Sequence, residues 1–438
     1  MCAQGVCRGG SRCGTMVRMA RFLLTAMPFT GHVAPIAAVA AELVARGHDV
    51  RFYTGPRFRE RVEATGARLV PWRKAPDFDE NDLAATFPRL VGAKGMRQVF
   101  INLEDCFMRT APAQVEDLTE EWEREPWDAL AAEETSIGAT LFCRRFGLPA
   151  ATIAVLPLNL AGTEGPPSGL GLTPGTNPFT RLRDAVLRGL VPLLARPLKK
   201  PLEDAQRAVG LTPDGLTMEK LVFSRKLIAA SGAPSLDFRR RDRPDFLHFV
   251  GRLTPVGGSA QAPPWWGDLD GRTVVHVTQG TQNIDPADLL RPALEALADL
   301  DVLVVATTGS RTVDTVPFPV PANARVTGFV SYADLLPRVD VMITNGGWGG
   351  TLAALSHGIP LVIAGGDLDK PEVAARVAWA GAGVNLRTGT PTAAQVRAGY
   401  ERVTTDASYR AAAEGVAAEM RALGGAPRAA ELLEEFAS

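Results

Sequence analysis

Residues 20–54 read ARFLLTAMPFTGHVAPIAAVAAELVARGHDVRFYT. ARFLLTAM (20–27) is a short apolar run, the length of a buried strand and too short for a core helix. In VAPIAAVAAELVARG (33–47), Ile36, Val39, Ala40, Leu43 and Val44 recur at the spacing of one helix face, and Gly47 marks the helix end. DVRFYT (49–54) is rich in residues that favour strands. Strand, helix, strand is the unit of a parallel sheet, because a parallel neighbour can be reached only by a crossover that covers the sheet face.

The alternation continues along the chain. ARLVP (67–71), DALAA (128–132), AATIAV (150–155) and KLIAA (226–230) are further strand candidates. TVVHVTQG (273–280), DVLVVAT (301–307), ARVTGF (324–329), VDVMITN (339–345) and PLVIAG (360–365) repeat the pattern in the second half. An α/β protein of two such domains is expected, over 19–240 and 273–410. A Pro-, Arg- and Gly-rich connection, 241–272, joins them. The C-terminal stretch 411–438 reads as helices packing back on the N-terminal domain, and 1–18 as a disordered extension with no signal-peptide core. Residues 161–180, rich in Gly, Pro and Thr, have the length of a lid or binding loop. Two facing β/α domains imply a cleft at the carboxyl ends of their strands.

The chain has 438 residues, with 47 Lys plus Arg against 48 Asp plus Glu. That balance gives no field to gather nucleic acid and no basic face for anionic lipid. The five cysteines are odd in number and without CxxC spacing, which points to unpaired thiols in a reducing cytoplasm. The two long uncharged stretches, 146–163 and 341–366, are broken by Pro149, Pro157, Pro360 and several glycines. Neither predicts stable insertion in a membrane.

Three segments carry chemistry. TNGGWGGT (344–351) follows an apolar run and precedes a helical one. That arrangement presents backbone N–H groups to a phosphate, and it equally describes a tight turn between strand and helix. Asp369 and Lys370 sit on a loop before a helix, where a carboxylate can accept sugar hydroxyls or cap the helix. His32, at a strand–helix junction, has an imidazole suited to taking a proton near neutral pH, or to holding its own loop by hydrogen bonds. VTQGTQN (277–283) is a second polar turn after a strand.

In this order the segments resemble family 1 glycosyltransferases, nucleotide-sugar-dependent enzymes of the GT-B fold, and most closely the bacterial macrolide and natural-product branch. FTGHVAPIAAVAAELVARGHDVRFYT (29–54) is similar to the family's GH-containing N-terminal motif. The run from VTGFVSYADLLPRVDVMITNGGWGGTLAALSHGIPLV to DKPEVAARVAWAGAG is similar to its donor-binding signature. The resemblance spans about residues 19–425. It implies two Rossmann-like domains facing across a cleft, His32 as general base, and Glu133 as the carboxylate orienting it, with Glu134 as the neighbouring option. It further implies Phe329 and Val330 at the nucleotide base, and Asn345, Gly346, Gly347, Trp348, Gly349 and Gly350 at the diphosphate. Thr281 is a further phosphate contact, and Asp369 and Lys370 lie at the donor sugar.

The family pattern is broken at Asn345, where a His is usual, at Ala353, where a Glu is common, at Lys370 for Gln and at Val373 for Asn. The expected activity is inverting transfer of a sugar from a UDP- or dTDP-linked donor to a hydroxyl of an apolar acceptor such as a polyketide or macrolide, with no metal or other cofactor. Leu, Ile, Val and Phe residues between 83 and 108 are candidates to line the acceptor pocket. The departures motivate one alternative, a non-catalytic GT-B protein assisting a partner glycosyltransferase.

Overall fold

Leu23 packs into one layer of side chains, and its neighbours Phe22 and Leu24 into another. The first strand is therefore buried on both faces, as a parallel sheet flanked by helices requires. The computed structural model describes residues 19–93, 95–160, 162–238, 240–254, 262–280, 285–309 and 314–438. The first sheet comprises β1 (Arg21–Thr25), β2 (Asp49–Thr54), β3 (Arg68–Pro71), β4 (Ala129–Glu133), β5 (Ala150–Ala154), β6 (Ile228–Ser231) and β7 (Leu247–Gly251). Its order is β3-β2-β1-β4-β5-β6-β7. The second comprises β8 (Val274–Thr278), β9 (Leu303–Thr307), β10 (Ala324–Thr327), β11 (Val341–Thr344), β12 (Leu361–Ile363) and β13 (Gly383–Asn385), in the order β10-β9-β8-β11-β12-β13. Every ladder between these strands is parallel.

The strand order turns back between β1 and β4 in the first sheet and between β8 and β11 in the second. Such switch points open a crevice at the carboxyl ends of the strands. The segment after β1 carries His32, and β4 ends in Glu133. In the second domain, β8 runs into Gln279 and β11 into Asn345. The residues singled out in the sequence thus cluster at the two crevices.

The helix Thr30–Ala45 covers the first sheet with Val33, Ile36, Val39, Ala40 and Leu43. It starts earlier than its apolar periodicity suggests, so His32 lies in its first turn and not in a loop. The connection expected over 241–272 also begins later, because β7 belongs to the first sheet. Leu247 and Phe249 face one layer and Val250 the other. Five residues among prolines and arginines are too few to show that alternation in the sequence. Residues 255–261 of the connection, and the 1–18 extension, lie outside the described residues.

Nor does the boundary at 410/411 coincide with a structural break. The helix Ala407–Ala422 stays on the second domain through Ala413, Val416 and Met420. Only the helix Gly425–Ala437 crosses over, seating Ala429, Ala430, Leu432 and Leu433 against the helix Thr30–Ala45. The turn between them runs through Gly424 (φ +87°) and Gly425 (φ +65°), backbone that other residues adopt only under strain. Arg46 and His48 fasten the crossing helix at Glu434, at 3.1 and 2.8 Å. Among the described residues no helix is long and apolar enough to cross a membrane.

Candidate functional site

His32 Nδ1 lies 3.2 Å from Glu133 Oε1 and 3.2 Å from Thr135 Oγ1. The Glu133 carboxylate is fully buried and held in turn by the Thr135 hydroxyl at 2.8 Å to both oxygens and by the Thr135 amide at 2.8 Å. Glu134, on the opposite face of the strand end, turns the other way and accepts the Val155 and Leu156 amides at 2.9 and 2.7 Å. The two adjacent carboxylates are thereby told apart: Glu133 faces His32 and Glu134 caps the chain after β5. Burial, and next the charge of Glu133, push the Glu134 carboxyl well above the ordinary glutamate range.

The His32 side chain is 14% exposed. Burial would lower its pKa. The charge and hydrogen bond of Glu133, followed by the charges of Asp369 and Glu80, outweigh burial and raise it. For Glu133 burial likewise works upward, and His32 with Thr135 overcomes it to hold the carboxyl below its usual range. Asp369 belongs to the second domain, so its effect on His32 is an electrostatic contact between domains. Burial is the largest influence on Asp369 too, and raises its pKa against Lys370 and His32. With Nδ1 engaged, Nε2 is the imidazole nitrogen left without a partner among the described residues. A tilted Phe29 ring sits 5.3 Å from the imidazole, with Phe78 and Phe107 behind it at 5.1 and 5.8 Å.

On the facing domain, the helix Trp348–Ser356 begins after Gly347 with no side chain capping its first turn. The N–H groups of that turn therefore have no helical acceptor. Gly346 (φ +92°) allows the approach: a Cβ there would stand 2.7 Å from Ile363 Cγ2. Asn345 is otherwise engaged than its expected place at the diphosphate suggests, since its side-chain amide donates to the Gln279 carbonyl and stitches the β8 and β11 turns together. Gln279 is itself engaged, donating to the Asp285 carbonyl at 2.8 Å and accepting the Leu290 amide at 3.1 Å. Thr281 lies outside the described residues. Phe329 follows β10 and is 50% exposed, while Val330 is buried in the second-domain core.

Asp369 occupies the N-cap position of the helix Lys370–Trp379, yet its side chain makes no capping bond. Capping therefore does not account for this carboxylate. Lys370 is buried and bound to Asp367 at 2.6 Å. Ala353 and Val373 are core residues, so neither of these two side chains offers a polar group.

The Trp348 side chain does not belong to the turn that carries its backbone. It is 5% exposed and reaches the first domain, donating Nε1 to Ser231 Oγ at 3.1 Å. A Cβ on Gly232 would lie 2.9 Å from its ring. A second bridge is centred on Arg376, whose guanidinium meets Asp237 at 2.7 Å, the Leu158 carbonyl at 2.9 Å and Glu372 at 3.0 Å. Glu372 also accepts the Gly169 and Gly171 amides at 3.0 and 3.3 Å. The loop read as a lid is thus bound to the helix that begins beside Asp369.

Thr135, Glu80 and Arg376 escape a reading of the sequence. Thr135 had a local signal, a hydroxyl two residues beyond an acid at a strand end. Glu80, which accepts the Thr30 amide at 2.9 Å, and Arg376 act through contacts distant along the chain.

Residues 291–436 match the C-terminal domain family of erythromycin biosynthesis protein CIII-like proteins. The chain is 40% identical over 422 residues to 4'-demethylrebeccamycin synthase of Lentzea aerocolonigenes, covering 95% of this chain and 99% of that one. It is 31% identical to UDP-glycosyltransferase 2 of Phaeomoniella chlamydospora, with 95% of each covered. The crystal structure of the calicheamicin glycosyltransferase CalG4 superposes with a TM-score of 0.73 at 22% identity, over 96% of this chain and 98% of that one. The fold is GT-B. With this agreement over nearly its whole length, the chain belongs to the natural-product branch of the family 1 glycosyltransferases, enzymes that transfer sugar from a nucleotide-sugar donor.

Proposed function

We propose that the protein is an inverting glycosyltransferase in which His32 activates a hydroxyl of an apolar natural product, of the polyketide or macrolide kind, for attack on a UDP- or dTDP-linked sugar. The observation that carries this reading is the imidazole held through Nδ1 by Glu133, with Nε2 without a partner among the described residues. Glu133 fixes the tautomer and stabilises the imidazolium that forms. The acceptor oxygen gives its proton to Nε2 and bonds to the anomeric carbon. The bond from that carbon to the diphosphate oxygen breaks, and the nucleoside diphosphate leaves with the electron pair from the opposite face. Asp369 is suited to the donor's sugar hydroxyls, and Phe329 to stacking on the base. The aromatic wall of Phe29, Phe78 and Phe107 beside His32 supports an apolar acceptor. Two buried free thiols, Cys106 and Cys143, both pushed up to about 12 by burial, fit a cytoplasmic protein.

A panel of UDP- and dTDP-sugars tests the reading. Specific thermal stabilisation by one nucleotide class, with slow donor hydrolysis, is expected, and no response to any of them would overturn it. Leaving-group charge is met by the N–H groups of 348–350, which need no reorganisation during the reaction. Transfer should therefore survive EDTA, and a strict requirement for Mg²⁺ would contradict this account.

A pH profile tests Glu133. The base works only when neutral, so kcat/KM falls as pH drops through the His32 pKa, and the Glu133 charge places that limb above the ordinary histidine value of 6.5. Glu133→Gln removes the charge and leaves burial acting. The limb should move to lower pH while the plateau rate falls about tenfold or more. A limb that stays in place would separate Glu133 from His32.

A further inference from the structure

Nδ1 of His32 faces two oxygens, not one. Glu133 Oε1 and Thr135 Oγ1 each stand 3.2 Å from it. The Thr135 hydroxyl is closer still to the carboxylate, at 2.8 Å from both of its oxygens. An ionised carboxylate only accepts, whereas a hydroxyl has one proton to give and lone pairs that accept. The hydroxyl proton therefore goes to Glu133, and a lone pair of the same oxygen is left facing Nδ1. Both oxygens then act as acceptors toward the imidazole, so the ring proton sits on Nδ1 and is shared between them. The other tautomer would set a bare Nδ1 lone pair against the carboxylate.

A ring held by a single acceptor can tilt about that one bond. A second acceptor confines it, and with it the direction of the Nε2 lone pair. The Thr135 oxygen suits this task because its own position is fixed. The residue is buried, and branching at Cβ restricts its rotamers. Its amide donates to Glu133 Oε1 at 2.8 Å, its carbonyl accepts the Ile137 amide at 2.8 Å, and the Glu133 carbonyl accepts the Ser136 amide at 2.9 Å. The helix Ile137–Phe146 starts from this turn and presses on Gln114, where a Cβ on Gly138 would stand 2.4 Å from Gln114 Cβ. The carboxylate itself has few other anchors among the described residues. Without the Thr135 hydroxyl it would keep His32, the Thr135 amide and a long contact of 3.4 Å from the Met27 amide.

We propose that Thr135 is a positioning residue for sugar transfer: its hydroxyl fixes the Glu133 carboxylate, takes a share of the His32 Nδ1 proton and so aims Nε2 at the attacking hydroxyl. Glu133 supplies the charge and Thr135 the direction. The inference rests on His32 being the general base.

Hydrolysis of the UDP- or dTDP-sugar that stabilises the full chain, with water in the acceptor's place, tests the proposal in Thr135→Val, Thr135→Ser and His32→Ala beside the parent. Thr135→Val keeps the side-chain shape and removes the hydroxyl. It should lower kcat about tenfold, the worth of one hydrogen bond to a charged group. Donor KM and nucleotide-induced thermal stabilisation, the check on folding, should stay at parent values. Thr135→Ser should restore most of the rate. Glu133, Asp369 and Glu80, the charges acting on the imidazole, all remain in Thr135→Val. The acidic limb of its kcat/KM profile should therefore stay with the parent's, whereas Glu133→Gln moves it down. If Thr135→Val does not fold, Thr135→Ala carries the same expectations. Spectra of the parent labelled with ¹⁵N-histidine, assigned through His32→Ala, should place the proton of the neutral ring on Nδ1. A proton on Nε2, a parent rate in the folded Thr135→Val protein, a loss that Thr135→Ser does not recover, or a loss in donor KM with kcat intact would each overturn the proposal. His32→Ala separates the two readings. A parent rate there overturns the general base as well, whereas a collapse there with an unchanged Thr135→Val rate overturns the role of Thr135 alone.

Discussion

His32→Ala is expected to lower kcat by roughly 10²–10⁴-fold, the range supplied by a positioned general base. Nucleotide affinity should stay unchanged. The imidazole is on the first domain and the uncapped amides of 348–350 are on the second, so the substitution removes the proposed base and leaves the proposed anion site intact. A loss in kcat with unchanged donor binding is the signature of a group acting in the transition state alone. Glu133 would remain buried and held by Thr135, but without the imidazole that helps keep its carboxyl below the usual range, so its pKa should rise. Nucleotide-induced stabilisation verifies that the variant folds. Titration calorimetry with UDP and dTDP, alongside single-turnover transfer, measures both quantities. Turnover at the parent rate would remove His32 as the base. Loss of nucleotide binding in step with turnover would indicate a damaged cleft.

Arg376→Met is expected to be the most damaging single change to stability, costing about 3–5 kcal/mol. The guanidinium is 1% exposed and holds Asp237 and Glu372, both buried, together with the Leu158 carbonyl and, more distantly, Ser168. Its plane also lies over the Phe238 ring at 5.0 Å. Removing the cation leaves buried Asp237 with Arg240 alone, 3.3 Å away, and buried Glu372 with only the Gly169 and Gly171 amides, which accounts for the size of the effect. Lysine should not rescue it, because a single ammonium cannot reproduce the planar fork that reaches several acceptors at once. Adding Asp237→Leu and Glu372→Leu to Arg376→Met should recover only part of the loss, since the unpaired carboxylates go but Arg240 loses its acid and the Gly169 and Gly171 amides lose their acceptor. Calorimetric unfolding of the four proteins checks this. The loop around Gly169 and Gly171 should also become cleavable by protease in Arg376→Met, as Glu372 loses the partner that orients it. An unfolding temperature within a degree of the parent would show that the cluster contributes nothing net to stability.

Much of the scaffold was legible because its signals are local. A buried parallel strand must be a short apolar run, and its covering helix must show apolar residues on one face. Both are visible in residues 20–54 and again around 339–356. β7 and β13 escaped because five and three residues are too few to display a period. His32 was legible as a polar residue at a strand–helix junction, though its place inside the first helical turn was not, since a helix N-terminus can precede its first apolar contact. Trp348 misleads for a physical reason: its backbone belongs to the glycine-flanked turn, while its ring is directed by the room that Gly232 leaves on the other domain.

Read by itself, the chain of amino acids determined two parallel-sheet domains, the cleft between them and the turns that border it, since strand length, helix period and glycine placement act over a few residues. Only the tertiary structure decided which of two adjacent glutamates meets the imidazole. It alone engaged Asn345 and Lys370 with neighbours, bound the 162–177 loop to Glu372 through the Gly169 and Gly171 amides, and turned the oily side of the helix Pro178–Leu194 outward. Each of these depends on the direction of a side chain toward a partner remote in sequence, and direction is set by packing and hydrogen bonding that no local pattern encodes.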